Sequence, residues 1–400
     1  MRLLLTLLAA AVVVSVPGAL AADPGVSANE IVIGGTAPLS GPESAYAVVA
    51  EGAKAYFDYV NAQGGVFGRD IRYVYLDDAY DPAQTVQQTR KLVEQEKVFA
   101  IFNVVGTEHT LATRPYLNQL GVPQLFVGSG ARAIVRESGK YPWTVGYLPS
   151  FFAEGRFYGR HIAATRPKAK IAVLYEDSDF GGDLLAGLRN GLGGKGKIVA
   201  TQGYAVTDAD VSSQVAALRA SKADTFMIFA LPKQTIQSFL AADKLGWRPK
   251  AYVAAVSIDP FVMEVARLNT GNRTTEGATS MAFLKDATNT ARWGKDPGVR
   301  LYYSIMKRYN PDGDVKAVAN MYGMAAAHTM VEALKQAGRN PTRQKLLDAA
   351  THLRSKTNPF LLPGVVVKTG PGDRYPLDQV QLYRYTKGVW RTIGPLVSTR

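Results

Sequence analysis

From residue 31 to about residue 256, short apolar runs rich in β-branched side chains alternate with longer stretches whose apolar positions recur at helical spacing. The runs at 31–37, 71–76, 98–102, 124–127, 171–175, 198–204, 226–231 and 251–256 read as strands. Apolar positions 48, 49, 52, 53, 56 and 60 share one helical face and end at Gly64-Gly65, a suitable C-terminal stop. Asp81-Pro82 opens another helix, with Asp as cap and Pro at the first helical position. Further helices are expected over 151–165, 182–192, 210–221, 233–245, 291–309, 315–336 and 342–352. This alternation predicts parallel sheets covered on both faces. The rhythm breaks at Pro142-Trp143, near Gly146, and then restarts, which favours two similar Rossmann-like lobes over one continuous sheet. After Leu362 the pattern changes again. Alternating Val380, Leu382, Tyr383 and Tyr385 lead to a turn at Lys387-Gly388 and then to Val389-Trp390, the signature of a short hairpin or edge strands completing a lobe.

The length of 400 residues agrees with two lobes, since it exceeds what one hydrophobic core normally serves. With 47% hydrophobic and 20% charged residues, the composition is that of a globular protein and excludes disordered, collagen-like and polytopic membrane classes. The 46 Lys and Arg against 33 Asp and Glu give a net charge of +13, but the bases are dispersed, the densest groupings being pairs such as Arg90-Lys91 and Lys307-Arg308. No stripe or tail marks a nucleic-acid partner, and none is expected. At the N-terminus, Arg2 precedes an apolar run over 3–16, then Pro17-Gly18 and Ala19-Leu20-Ala21, which reads as a secretory signal peptide over 1–22 cleaved after Ala21 or Ala22. The run is shorter than the roughly 20 residues that cross a bilayer. The absence of cysteine excludes disulfides, thiolate chemistry, cysteine-ligated metals and a lipid anchor on cysteine. A protein released into a bacterial periplasm fits these features.

Catalytic motifs are sparse. The four histidines, His109, His161, His328 and His352, have no metal-ligand spacing, so neither a metal nor another cofactor is expected. Gly128-Ser129-Gly130 lacks the flanking glycines of a nucleophile elbow, with Val127 and Ala131 in their places. The stretch at 193–197 contains glycine and lysine but not the phosphate-loop spacing, and reads as a turn. Carboxylates cluster at Asp77-Asp78 and at Glu176-Asp177 with Asp179, after strand ends where open α/β sheets place a ligand crevice. Turn formation and helix capping are the favoured account of them over acid-base work, since Asp in such loops has its own backbone role.

Several segments together resemble the leucine/isoleucine/valine-type periplasmic binding proteins of ABC transporters. They are Ile31-Val32-Ile33-Gly34 with Pro38-Leu39-Ser40-Gly41-Pro42, the string Asn61-Ala62-Gln63-Gly64-Gly65-Val66-Phe67-Gly68-Arg69, and Asp77-Asp78 with Asp81-Pro82. Gly121-Val122-Pro123 and the ending at 385–390 extend the likeness across essentially the whole chain after the signal peptide. The resemblance implies a type I periplasmic-binding fold, two α/β lobes joined by three hinge crossings. The crossings are expected near Val145-Gly146, over 276–282 and over 360–366, giving one lobe of 24–145 plus 280–360 and another of 146–279 plus 361–400.

It also implies a binding site, transferred residue by residue. Tyr46 falls where the family places an aromatic ring over the ligand side chain. Gly106 and Thr107 fall where a hydroxyl and a backbone amide hold a carboxylate, and Ser129, Gly130 and Ala131 where that carboxylate receives further hydrogen bonds. Such groups at helix starts favour anions without a basic side chain. Phe180 matches a position that is typically Tyr on the second lobe, so the phenolic hydroxyl is missing, and Leu231 adds apolar surface. Amino-acid binders of the family carry a glutamate in the loop after 251–256, whereas this chain has Val256-Ser257-Ile258-Asp259. If Asp259 replaces that glutamate, an α-amino acid is accommodated. If it does not, a buried ammonium would lack a partner at a cost of several kcal/mol, and an aromatic or aliphatic carboxylate fits better. The implied role is a monomeric periplasmic receptor that delivers a small carboxylate to an inner-membrane ABC permease without covalent chemistry. Two alternatives stand beside it: a ligand sensor feeding a membrane signalling protein, and an exported hydrolase using the acidic loops.

Overall fold

A computed structural model describes residues 23–399, so the expected signal peptide lies outside the described residues. The first sheet contains β1 (Glu30–Ala37), β2 (Asp70–Asp77), β3 (Ala100–Phe102), β4 (Gln124–Val127) and β5 (Thr144–Gly146), all parallel, in the order β2-β1-β3-β4-β5. In β1 every residue after Glu30 is buried, without alternation, because helices cover both faces of the sheet. The second sheet is built from β6 (Lys170–Glu176), β7 (Lys197–Tyr204), β8 (Thr225–Phe229), β9 (Lys250–Val253) and β10 (Thr279–Ala282). A small pair, β11 (Arg354–Ser355) and β12 (Val367–Lys368), stands apart. The C-terminal hairpin of β13 (Gln379–Thr386) and β14 (Val389–Ser398) then joins the second sheet antiparallel, giving the order β14-β13-β10-β9-β8-β6-β7.

Close helix packing in the second lobe depends on missing side chains. Helices Phe151–Thr165 and Asp179–Leu192 meet backbone to backbone, and a methyl group on Gly155 would collide with the Leu184 carbonyl, one on Gly187 with the Phe152 carbonyl. In the first lobe, helix Ala47–Asn61 lies against helix Ala319–Ala337.

The chain passes from the first sheet to the second after β5 and leaves the second after β10. Residues 283–285 and 360–362 run side by side, with Leu362 N donating to Phe283 O at 2.8 Å and Lys285 N to Phe360 O at 3.0 Å. β10 keeps the chain in the second sheet as far as Ala282, beyond the boundary at 279 that the sequence suggested.

Some elements differ from the pattern. β5 and β10 are three and four residues long, too short to show a period. Helix Thr107–Gln119 is mostly polar and contains Pro115, which hides its face, and helix Pro260–Thr270 was not expected either. The helix expected over 291–309 is split into Thr290–Trp293 and Pro297–Tyr309, because Asp296 caps a new start by accepting from Gly298 N and Val299 N. β8 and β9 stop at Phe229 and Val253, short of the expected ends, where Pro232 starts a helix and residues 255–257 form a tight turn. Among the described residues no helix is long and apolar enough to cross a membrane.

Candidate functional site

Between the lobes lies a cavity of about 650 Å³, walled by loops that follow the strand ends of both sheets. On the first lobe, β3 leads through Gly106, at φ +112°, into helix Thr107–Gln119. Any side chain at Gly106 would collide with the His109 ring, so glycine permits both the turn and the close approach of that ring. The N–H groups of the first helical turn have no intrahelical carbonyl to bond and make this end attractive to an anion. The Thr107 hydroxyl shares a hydrogen bond of 2.8 Å with that of Ser129, whose oxygen also accepts from Ala131 N at 3.2 Å. His109 is buried against Tyr80, ring centroids 4.2 Å apart, and neither ring nitrogen has a hydrogen-bond partner among the described residues. Burial, above all, lowers its pKa.

The second lobe contributes carboxyls. Glu154 lies on helix Phe151–Thr165 and accepts from the Tyr158 hydroxyl at 2.9 Å and from Ala255 N at 2.7 Å. Glu176 ends β6 and accepts from the Tyr204 hydroxyl at 3.4 Å. Burial pushes the pKa of each up to about 7. Seven acidic side chains line the cavity, and Lys285 is the single lysine or arginine among the described residues that do so. Its ammonium is already held by Asp296 and the Pro359 carbonyl, each at 2.7 Å. Aromatic and aliphatic surfaces fill the rest, including Phe151, Phe180, Tyr322 and Trp390.

The lobes touch around this cavity. The Tyr46 hydroxyl donates to Val256 O at 3.0 Å, Asp179 N donates to Glu108 at 3.1 Å, and Arg132 N donates to Asp183 at 2.7 Å while its guanidinium pairs with the same carboxylate. Glu43, from the loop before Tyr46, is buried in this seam beside Gln234, with Glu176 and Lys233 near. Neither of its carboxyl oxygens has a hydrogen-bond partner among the described residues, and burial followed by the Glu176 charge raises its pKa to about 8.

Of the residues carried over from the sequence, Tyr46, Gly106, Thr107, Phe180, Leu231 and Asp259 border the cavity. Ser129, Gly130, Ala131 and Ser257 are not among the lining residues. Ser129 supports Thr107 from behind, Gly130 and Ala131 are buried beneath it, and the Ser257 hydroxyl turns away to Ala230 O at 2.7 Å. Asp259 is occupied: one oxygen caps its own helix by accepting from Phe261 N at 2.9 Å, and the other accepts from Ala319 N on the opposite lobe at 3.2 Å. Phe180 packs edge-on against Phe151. Among the acidic loops, Asp77 accepts from Leu39 N, Ser40 N, Ala79 N and the Ser40 hydroxyl, and Asp78 from Tyr80 N and the Thr85 hydroxyl, so both hold turns together. Glu43 and Glu154 were missed. The signal for Glu154 was an acid four residues before Tyr158 on an otherwise apolar helical face, a spacing that lets the two side chains meet.

A family profile described as periplasmic binding protein matches residues 30–388. A Leu/Ile/Val-binding protein homolog of Brucella suis is 28% identical over 301 residues, covering 72% of this chain and 73% of the relative. Among solved structures, a branched-chain amino acid ABC transporter protein from Thermus thermophilus with bound valine superposes with a TM-score of 0.80 at 18% identity, covering 92% of this chain and 96% of that one. A fatty acid ABC transporter substrate-binding protein from Thermomonospora curvata superposes with a TM-score of 0.78 at 19% identity, covering 94% of each chain.

Proposed function

The chain belongs to the periplasmic binding protein family, and from that premise we propose that it is the solute receptor of an ABC importer, capturing a small carboxylate between its lobes and handing it to a membrane permease. The observation that carries this reading is the 650 Å³ cavity walled from both lobes and closed by hydrogen bonds that run between them. Its volume lies within the range of small-molecule pockets. Valine and fatty acids, named for the two structural neighbours, both carry a carboxylate.

The ligand carboxylate docks at the start of helix Thr107–Gln119, where the Thr107 hydroxyl and unpaired N–H groups meet it. The remainder of the ligand lies against Tyr46, Phe180 and Leu231. Asp259 does not serve as an ammonium partner, since both oxygens bond backbone amides. Glu154 and Glu176 do face the cavity, and they supply acceptors for an amino or hydroxyl group elsewhere on the ligand. A simple carboxylate without such a group is the second reading, favoured by the aromatic walls.

Thermal unfolding of the ligand-stripped protein against matched pairs, leucine with 4-methylpentanoate and phenylalanine with 3-phenylpropanoate, tests both. A ligand at about 100 times its Kd adds about 2.7 kcal/mol to stability, a visible shift in Tm. Stabilisation by the amino member alone supports the acceptor role of Glu154 and Glu176. Stabilisation by the other member selects the second reading, and no shift with any carboxylate refutes the carboxylate assignment.

A further inference from the structure

The bases that look scattered in the sequence are gathered by the second sheet. Lys170 and Lys197 start β6 and β7, and Lys222 and Arg248 lie in the turns that lead into β8 and β9. These four strands are parallel neighbours, so their starts share one end of the lobe, opposite the cavity, and all four side chains are exposed. Arg384 of β13 joins them, paired with Thr279 at the start of β10, and Lys387 follows in the hairpin turn. Within this end, a recess of about 450 Å³ is bordered by Arg166, Arg248 and Lys250. Of the acids at this end, Asp224 pairs with Arg166 at 3.0 Å, Asp243, which also feels Arg248, pairs with Arg273 at 2.5 Å, and Glu276 accepts from the Asn272 side chain and from Lys387 N. Burial above all, with smaller contributions from Arg384 and Arg166, pushes the Lys250 pKa down to about 8. The corresponding end of the first sheet has mixed signs, with Arg72 bridging Glu30 and Glu96 and with Asp70 exposed.

We propose that this basic end is a docking surface for an anionic phospholipid bilayer, its recess taking one lipid phosphate. Dispersed lysines on a blunt face match a plane of headgroup charge, each adding attraction that salt screens. Leu268, 64% exposed, lies in the last turn of the helix whose Arg267 packs near Gly388 of the hairpin turn, placing an apolar side chain at the rim. A hydrocarbon layer beneath charged headgroups accommodates that pairing. A single nucleic acid strand would instead draw on aromatic platforms, and Trp247 at the recess is buried with its indole N–H donated to Ala223 O.

Co-sedimentation with vesicles of phosphatidylglycerol and phosphatidylcholine, against phosphatidylcholine alone, tests the surface at about 0.1 M salt, where charges act over about 10 Å. The protein should bind the anionic vesicles only and detach at high salt. The triple substitution Lys170→Gln, Lys197→Gln, Arg248→Gln should weaken binding about tenfold or more. Lys91→Gln, Lys97→Gln, Lys140→Gln removes the same charge from the first lobe and should change it less than about twofold. Equal losses in the two variants would reduce the effect to net charge and overturn the proposal, as would failure of the unaltered protein to bind anionic vesicles. Displacement by micromolar inorganic phosphate would make the recess a free-anion site, and tighter binding of duplex DNA than of vesicles would make the face a nucleic-acid surface. Either result also overturns it. Melting curves matching the parent establish that both variants are folded.

Discussion

The two lobes share a strand-helix plan and both bring carboxyls to the cavity, yet their buried polar groups there differ. The first offers hydrogen-bond donors from backbone and hydroxyl groups at a helix start, with Thr107 braced by Ser129. The second offers acceptors, the buried carboxyls of Glu154 and Glu176. At its outer end the contrast changes sign, since the second lobe gathers exposed bases where the first mixes both charges. A net charge of +13 therefore says little about the site, because one lobe separates its charges between two opposite ends.

The largest effect should come from breaking the second lobe alone. Gly187→Val drives a branched side chain into the Phe152 carbonyl and should cost about 3 kcal/mol. Chemical denaturation should then show the loss, and an unchanged midpoint would mean that the helices part freely. Thr107→Val tests the first lobe's donor role. Losing one hydrogen bond to a charged group should weaken carboxylate binding by about 2 kcal/mol, roughly 30-fold, in a calorimetric titration. Equal affinity would move the carboxylate elsewhere.

A pH-dependent effect belongs to the seam. Glu43 has its pKa raised to about 8 from 4.5 while buried between the lobes, and if the lobes part on ligand release it returns toward the ordinary carboxyl value. Closure is therefore fully favoured below about 4.5, weakens as pH rises, and levels off above about 8. Solvent and Lys233 moderate the slope, so ligand affinity should fall by at most about tenfold per pH unit between those limits. Glu43→Gln should flatten the profile. A profile equally steep in the variant would assign the proton to Glu154, Glu176 or His109.

Much of the fold could be read from residues with strong periodicity. The helix over 151–165 and the strand over 124–127 have the expected bounds, and the C-terminal hairpin turns at Lys387-Gly388 as expected. Short strands and the polar helix from Thr107 escaped because three or four residues show no period and a buried helix end needs no apolar stripe. At the site, the family pattern suggested Thr107 and Ser129 as two carboxylate ligands, whereas the structure joins their hydroxyls and leaves only Thr107 on the cavity wall. Asp259 was not, because its sequence position suggests a free acid, and only tertiary structure brings Ala319 N to it from the other lobe. The basic end was hidden for a related reason. Lys170, Lys197, Lys222 and Arg248 are separated from one another by helices, and only parallel strand order makes them neighbours.

The glycine contacts between helices Phe151–Thr165 and Asp179–Leu192 bear on mechanics. Glu154 and Phe180, which border the cavity, sit on these two helices, with no side-chain layer between the backbones at Gly155 and Gly187 to absorb displacement. The pair thus behaves as a stiff beam. Asp183 on the second of these helices is tied to Arg132 across the seam, so the position of that contact and the positions of Glu154 and Phe180 at the cavity wall are set together.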